Sequence, residues 1–334
     1  MGRGAVILAP AGPDLGPDES RFFRDADPLG FILFARNVSD AEGTRCLTAA
    51  LRDAVGRDAP ILIDQEGGRV QRLRPPLARD WLPPLDQCAL AGPCAARAME
   101  LRAILISAEL LALGIDANCA PTADIATPAT HPFLRNRCYG TTADDVTPIA
   151  RACADGHLAM GVIPVVKHAP GHGRATADSH HDLPRIDAPL DDYDATDAAP
   201  FRALADLPMA MTAHLLIPAI DPDRPVTLSP AGLAYLRDRV GLTGFLMTDD
   251  ISMQALSGTP SDRAAAAIAA GCDAVLHCNG DASEMAAVAA AAGALTPAAE
   301  ARLDAALALR HPATRPDIGA AEAELADILE RTDA

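Results

Sequence analysis

The chain has 334 residues, 49% of them apolar, with 45 acidic against 28 basic side chains and a formal net charge of −17. That length and apolar content supply one large core, and the acidic balance argues against a nucleic-acid partner, because phosphate recognition requires clustered Lys and Arg. No stretch approaches the ~20 apolar residues of a membrane span, and MGRGAVILAP meets Pro10 and the acidic DLGPDES too soon for a secretory signal, so a cytoplasmic location is expected.

In chain order, short apolar runs bounded by turn residues fall at residues 5–10 (AVILAP), 30–35 (GFILFA), 60–64 (PILID), 115–121 (IDANCAP), 162–168 (VIPVVKH), 208–214 (PMAMTAH), 244–249 (GFLMTD) and 273–278 (DAVLHC). Continuous apolarity without alternation predicts parallel strands buried on both faces. Alanine-rich stretches with helical spacing lie between most of them, for example CAARAMELRAILISAELLALG and ADDVTPIARACADGHLAMG, several opening on Ser, Asp or Thr and closing on Gly. The pattern predicts an α/β fold, a (β/α)8 TIM barrel forming a single catalytic domain over residues 1–334, with terminal helices after about residue 300. The eight cysteines are scattered through apolar segments without a CxxC, which predicts reduced core residues.

Barrel enzymes carry their chemistry at the C-terminal ends of the strands. The polar residues there are Asp64 on the third strand, Asp124 just past the fourth, Lys167 and His168 on the fifth, His214 on the sixth and Asp249 on the seventh. Lys167 is the only lysine in a chain that otherwise takes its positive charge from arginine, so this position requires a compact ammonium.

Three segments concentrate this chemistry. In LIDQEGGRVQRLR (62–74), a strand-end carboxylate, two glycines and Arg69, Arg72 and Arg74 suit a polyhydroxylated or acidic ligand; the plainer reading is a tight turn with a solvated basic flank. In VVKHAPGHGRATADSHHDLP (165–184), Asp178 stands two residues before His180, close enough to orient the imidazole and support its cationic form as a general acid/base. His168, His172 and His180 could alternatively hold a metal, and the loop could simply be polar surface. In GFLMTDDISM (244–253), a carboxylate directly after a buried strand can attack an anomeric carbon, although Asp-Asp before ISMQAL also suits a helix N-cap.

Together, DQEGGRVQR, KH-x-PGHG-x-x-x-x-DSH and TDDISM resemble the signature segments of the family 3 glycoside hydrolases, in particular the single-domain bacterial β-N-acetylhexosaminidases of peptidoglycan recycling. GFILFARN, APTADIA, NRCYG and MTAH resemble further segments of that family in the same order, so the resemblance runs from about residue 5 to residue 300. It implies that Asp249 is the nucleophile, His180 the acid/base and Asp178 its partner, with Asp64, Arg72, Arg137, Lys167 and His168 lining the N-acetylglucosamine subsite. It further implies a small carbohydrate substrate, a GlcNAc-containing muropeptide, and neither metal nor organic cofactor. Ala169, Arg174, His181 and Tyr139 depart from the common pattern without removing a group the chemistry needs. Two other functions fit parts of the pattern. A metal-dependent barrel hydrolase would use Lys167, His168, His214 and Asp249, but the first strand lacks an HxH pair. A non-catalytic sugar-binding barrel would leave Asp249 and the Asp178 and His180 pair without a purpose.

Overall fold

Each of the eight apolar runs forms a strand: β1 (Gly4–Leu8), β2 (Pro28–Leu33), β3 (Ile61–Ile63), β4 (Ala117–Asn118), β5 (Ile163–Ala169), β6 (Met209–Thr212), β7 (Phe245–Asp250) and β8 (Ala274–His277). All pair in parallel with their sequence neighbours, and β1 pairs with β8, closing an eight-stranded barrel. The computed structural model describes residues 2–176 and 182–330. Register is set by pairs such as Leu33 with Ile63, Val166 with Ala210 and Met211 with Met247. Nearly every strand residue is buried, because one face fills the barrel interior and the other packs beneath helices; this explains the unbroken apolarity of the runs.

The helices largely follow the sequence pattern. Ala41–Val55 is capped by the Asp40 side chain and ends on left-handed Gly56, and Ala143–Met160 starts on the Thr142 cap and ends on Gly161. Ala95–Leu111 is buried over most of its circumference because it packs between Ala143–Met160 and the terminal helix Ile318–Glu330. Gly156 permits the first of these contacts, since a Cβ there would lie 2.4 Å from the Glu100 carbonyl oxygen.

Two elements differ from the expected pattern. The helix Pro17–Ala26 arises from PDESRFFRDA, a stretch that the sequence pattern does not assign to an element; Phe23 is its buried residue, its ring edge-on to Phe31 at 4.9 Å, with Phe22 partly buried beside it. β4 is shorter than the run 115–121, because Pro121 has no N–H for a ladder and the Asn118 side chain instead bonds the Gln65 backbone in both directions. At the N-terminal end of β4, Asp116 accepts from the Ile61 N–H at 2.7 Å, from Arg52 at 2.9 Å and from Arg310 at 2.8 Å, tying the barrel floor to the chain's last third. All eight cysteines are unpaired and six are buried. Among the described residues, no helix is long and apolar enough to cross a membrane.

Candidate active site

Beyond β3 the chain turns into a short antiparallel hairpin, Gln65–Gly67 with Val70–Gln71. Gln65, fully buried, closes it by accepting from the Arg72 and Leu73 N–H groups and donating to the Leu73 carbonyl. The turn requires glycine at Gly67, whose φ is 108° and whose absent Cβ would overlap the Arg102 guanidinium. Arg102 is itself buried, donating to the Glu66 and Leu82 carbonyls and to Gln87 Oε1. The hairpin thereby returns Arg72 to Asp64, with Nη2 to Oδ2 at 2.9 Å, and buries Glu66 against Lys167 and Arg137.

Lys167, at the end of β5, shows why an ammonium is needed. Its side chain is 2% exposed, and Nζ bridges Asp64 Oδ1 at 2.7 Å and Glu66 Oε1 at 2.6 Å. One compact charge fits between two carboxylates held two positions apart at the start of the hairpin; a planar guanidinium does not. Two of its three N–H donors are thus committed and one is left for a ligand. Burial penalises all three ionised groups, but their mutual attraction wins: Glu66 is lowered to about 2 with help from Arg137, Asp64 falls well below the carboxylate range, and Lys167 rises above its usual value. Lys167→Arg is expected to overfill this space, destabilising the protein by about 1–3 kcal/mol as overpacked cores do and raising KM by displacing Asp64. Thermal melts and steady-state kinetics on the same preparation check both effects.

Arg137 follows the short helix Pro132–Arg135 and clasps Glu66 with two parallel bonds of 2.9 and 2.8 Å. Its Nη2 also lies 3.3 Å from His168 Nε2. The other His168 nitrogen, Nδ1, is 2.7 Å from Asp124 Oδ2, and Asp124 Oδ1 accepts the His172 backbone N–H at 2.6 Å. A carboxylate on one side and a guanidinium donor on the other put the His168 hydrogen on Nδ1, and both nitrogens are engaged. The metal reading of His168, His172 and His180 therefore loses its first ligand. His172 sits between the Phe133 and His168 rings with neither nitrogen hydrogen-bonded among the described residues; burial lowers it to about 4, so it is neutral near pH 7. Among the described residues, no cluster of three or more His, Cys, Asp or Glu side chains is arranged to hold a metal ion.

β7 runs through Asp249 and Asp250. The N-cap reading of this pair is overturned: no helix begins at Ile251, and the next one, Pro260–Ala270, carries its own cap in Thr259. Asp250 instead ties loop to strand, accepting from the Ser252 N–H and hydroxyl and from the Cys278 N–H and Asn279 amide. Asp249 is left facing the pocket, one oxygen accepting the Asp250 N–H at 2.8 Å. Burial raises its pKa, but the neighbouring His168 and His214 imidazoles, that N–H and Lys167 outweigh burial and hold it below the ordinary carboxylate value. His214 is spoken for structurally: its Nδ1 meets the Thr227 hydroxyl at 2.9 Å and its Nε2 donates to the Asp250 carbonyl at 3.0 Å, bracing the strand end.

These side chains enclose a cavity of about 270 Å³ at the barrel mouth, whose wall includes Asp64, Arg72, Arg137, Lys167, His168 and Asp249. Six of the eight site residues named from sequence thus line one pocket. The other two, Asp178 and His180, lie outside the described residues. Sequence reasoning missed Glu66, the buried partner of both Lys167 and Arg137. Its signal was available, since a unique lysine on a buried strand needs neutralising charge and DQEGG offers two carboxylates at a spacing of two.

The family model described as glycosyl hydrolase family 3 N terminal domain matches residues 24–309. A β-hexosaminidase of Bordetella parapertussis is 37% identical over 290 residues, covering 83% of this chain and 80% of the relative. Another, of Methylococcus capsulatus, is 38% identical over 274 residues, covering 80% of each. Among solved structures, native NagZ from Neisseria gonorrhoeae superposes with a TM-score of 0.78 at 28% identity, covering 98% of both chains, and has also been solved with N-trifluoroacetyl-D-glucosamine bound. The chain belongs to glycosyl hydrolase family 3. Within that family its relatives and its barrel make it a β-N-acetylhexosaminidase, a glycoside hydrolase acting on a small carbohydrate.

Proposed function

We propose that the protein is a retaining β-N-acetylglucosaminidase that removes terminal non-reducing GlcNAc from peptidoglycan-derived muropeptides in the cytoplasm. The observation that carries this reading is Asp249, an ionised carboxylate in the wall of the same pocket as the Asp64, Lys167, Arg72, Arg137 and His168 cluster. Asp64, the remaining N–H of Lys167 and the arginines supply the donors and acceptors that sugar hydroxyls need. The muropeptide comes from the family resemblance, and the cytoplasm from the expectation drawn from the N-terminal sequence.

In the first step Asp249 attacks C1 while the His180 imidazolium gives its proton to the leaving oxygen; the glycosidic bond breaks and an ester to Asp249 forms. In the second, water attacks C1, His180 takes the proton and Asp249 departs as carboxylate, so two inversions give retention. Asp178 supports the cationic imidazole, so that acid and base forms are both accessible near neutral pH. The retained charge state of Asp249 suits a nucleophile, which must be ionised before C1 arrives.

Two experiments test this. Wild-type protein is expected to release 4-nitrophenol from its N-acetyl-β-D-glucosaminide in the presence of EDTA, with the β-anomer appearing first by NMR. Loss of turnover on adding EDTA would instead favour the metal-hydrolase reading, and calorimetric binding without turnover the sugar-binding one. His180→Ala is expected to slow glycosides with poor leaving groups about 10²–10⁴-fold, the range of general acid catalysis, and the nitrophenyl glycoside far less. Equal losses on both would count against the acid role.

A further inference from the structure

A carboxylate nucleophile has to present one oxygen to the anomeric carbon while the other is held still. Asp249 has this asymmetry: Oδ1 accepts the Asp250 N–H at 2.8 Å, and Oδ2 accepts no hydrogen bond among the described residues. Asp249 lines the cavity, so Oδ2 is the oxygen left for attack. The N–H that makes this choice belongs to a strand end that ladder bonds do not fix, because the register of β7 against β8 shifts between the Met247–Ala274 and Asp250–Leu276 pairs.

Asp250 supplies the missing restraint through its own groups. Its carbonyl accepts from His214 Nε2 at 3.0 Å and from the Met253 N–H at 3.1 Å. Its carboxylate takes four donors: Oδ1 accepts from the Ser252 N–H at 3.0 Å and the Cys278 N–H at 3.1 Å, and Oδ2 from the Ser252 hydroxyl at 2.7 Å and the Asn279 amide at 3.2 Å. These donors come from the loops after β7 and β8, and Arg36, beyond β2, reaches the Cys278 carbonyl at 2.6 Å. A carboxylate has about four acceptor sites, so Asp250 borders the cavity with none left for a sugar hydroxyl. Any effect it has on the reaction passes through Asp249.

We propose that Asp250 is a positioning residue that fixes Asp249 with Oδ2 toward the anomeric carbon. The inference rests on the glycosidase reading above and deepens it. In the first step Oδ2 forms the bond to C1 as the glycosidic bond breaks, and the Asp250 N–H stays on Oδ1. In the second, water replaces Oδ2 at C1, the electron pair of the C1–Oδ2 bond returns to the carboxylate, and the same N–H helps to hold the released charge. Both proton transfers remain those of His180. The other titratable groups near Asp249 are Lys167 and His168 on β5, His172 after it, His214 on β6 and the thiols of Cys119 and Cys278, all unaltered in the variants below.

The test compares Asp250→Asn with Asp250→Ala on the nitrophenyl glycoside. Asparagine removes the charge but keeps the shape and an acceptor for the Ser252 and Cys278 N–H groups; alanine releases all four donors. In Asp250→Ala kcat is expected to fall about 10²-fold, the effect of misplacing a reacting atom by about 1 Å, with KM within about threefold of wild type, and in Asp250→Asn kcat should fall less than about tenfold. The acid limb of kcat/KM follows the ionisation of Asp249, which the Asp250 N–H favours, so the limb should lie at higher pH in Asp250→Ala than in Asp250→Asn. A wild-type kcat in Asp250→Ala, or equal losses in the two variants with coincident acid limbs, would overturn the proposal and leave Asp250 only a tie between loops. Should Asp250→Ala fail to fold, Ser252→Ala carries the test, since Ser252 is not part of the cavity wall. It should lower kcat several-fold at a melting temperature close to wild type, and a wild-type kcat there would overturn the proposal. If wild type turns over the glycoside and Asp249→Ala does not, while Asp250→Ala matches wild type, the positioning inference alone fails. If wild type turns over nothing, the glycosidase reading fails with it.

Discussion

Asp249→Ala is expected to lower kcat on the nitrophenyl glycoside by roughly 10⁴-fold or more, the scale seen when a residue forming the covalent intermediate is removed. The mutation deletes the group that bonds to C1, and no neighbouring carboxylate can replace it. Asp250 has both oxygens committed to Ser252, Cys278 and Asn279, and Asp64 is held by Lys167 and Arg72. The fold should survive, because Asp249 makes only a local bond to the Asp250 N–H, while His214 braces the strand through the backbone. The expected record is therefore a melting temperature close to wild type, substrate still bound by calorimetry, and turnover nearly abolished. Small external nucleophiles such as azide should restore some release of nitrophenol from the variant by entering the vacated space. A kcat within tenfold of wild type would remove Asp249 from the mechanism.

Glu66→Ala is expected to produce the largest loss of stability of any single site substitution, about 3–5 kcal/mol, because it strips a buried carboxylate from two buried cations. Lys167 would keep only Asp64, and Arg137 would keep no carboxylate among the described residues. The desolvation that attraction now outweighs would then be uncompensated, and the field on Asp249 and His168 would change with it. The double variant Glu66→Gln/Lys167→Met should recover much of the stability, since removing both charges removes the penalty, yet it should not recover affinity for the sugar. The pH dependence carries the same signature. The folded-state pKa of Glu66 is lowered to about 2, below the ~4.3 of an unfolded glutamate, so its contribution is fully present above that value and lost as pH falls toward 2. Chemical denaturation across pH 5 to 2 should show a shallower fall in stability for Glu66→Gln than for wild type; equal slopes would mean that Glu66 is not the partner of the buried cations.

The two cases differ in how far the sequence exposes them. Asp249 could be found because TDDISM continues a buried apolar run, and a carboxylate in that position on a barrel is directed at the mouth by the fold itself. The helix-cap alternative is the better reading of this segment taken alone and falls only because the structure puts a strand through Asp250 and a turn after it. Glu66 sits two residues from Asp64 and shares its side of the hairpin, but nothing local distinguishes its buried carboxylate from the solvated ones that abound in this chain. His214 shows the reverse: its strand-end position suggests chemistry, whereas contacts from Thr227 and the Asp250 carbonyl give it a bracing role.

The eight parallel strands, the order in which they close and the strand ends from which chemistry can project are all legible in the amino-acid order. Each depends on local apolar continuity and on the alternation of strand with helix, which short segments carry on their own. The same order marks Lys167 as exceptional. The partnerships belong to the closed fold: Lys167 between Asp64 and Glu66, Arg137 on Glu66, Asp124 behind His168, and Arg69 without a carboxylate among the described residues. Electrostatic energy depends on distances and burial among residues a hundred positions apart, and only the closed barrel brings β3 and β5 close enough for those charges to be taken out of water together.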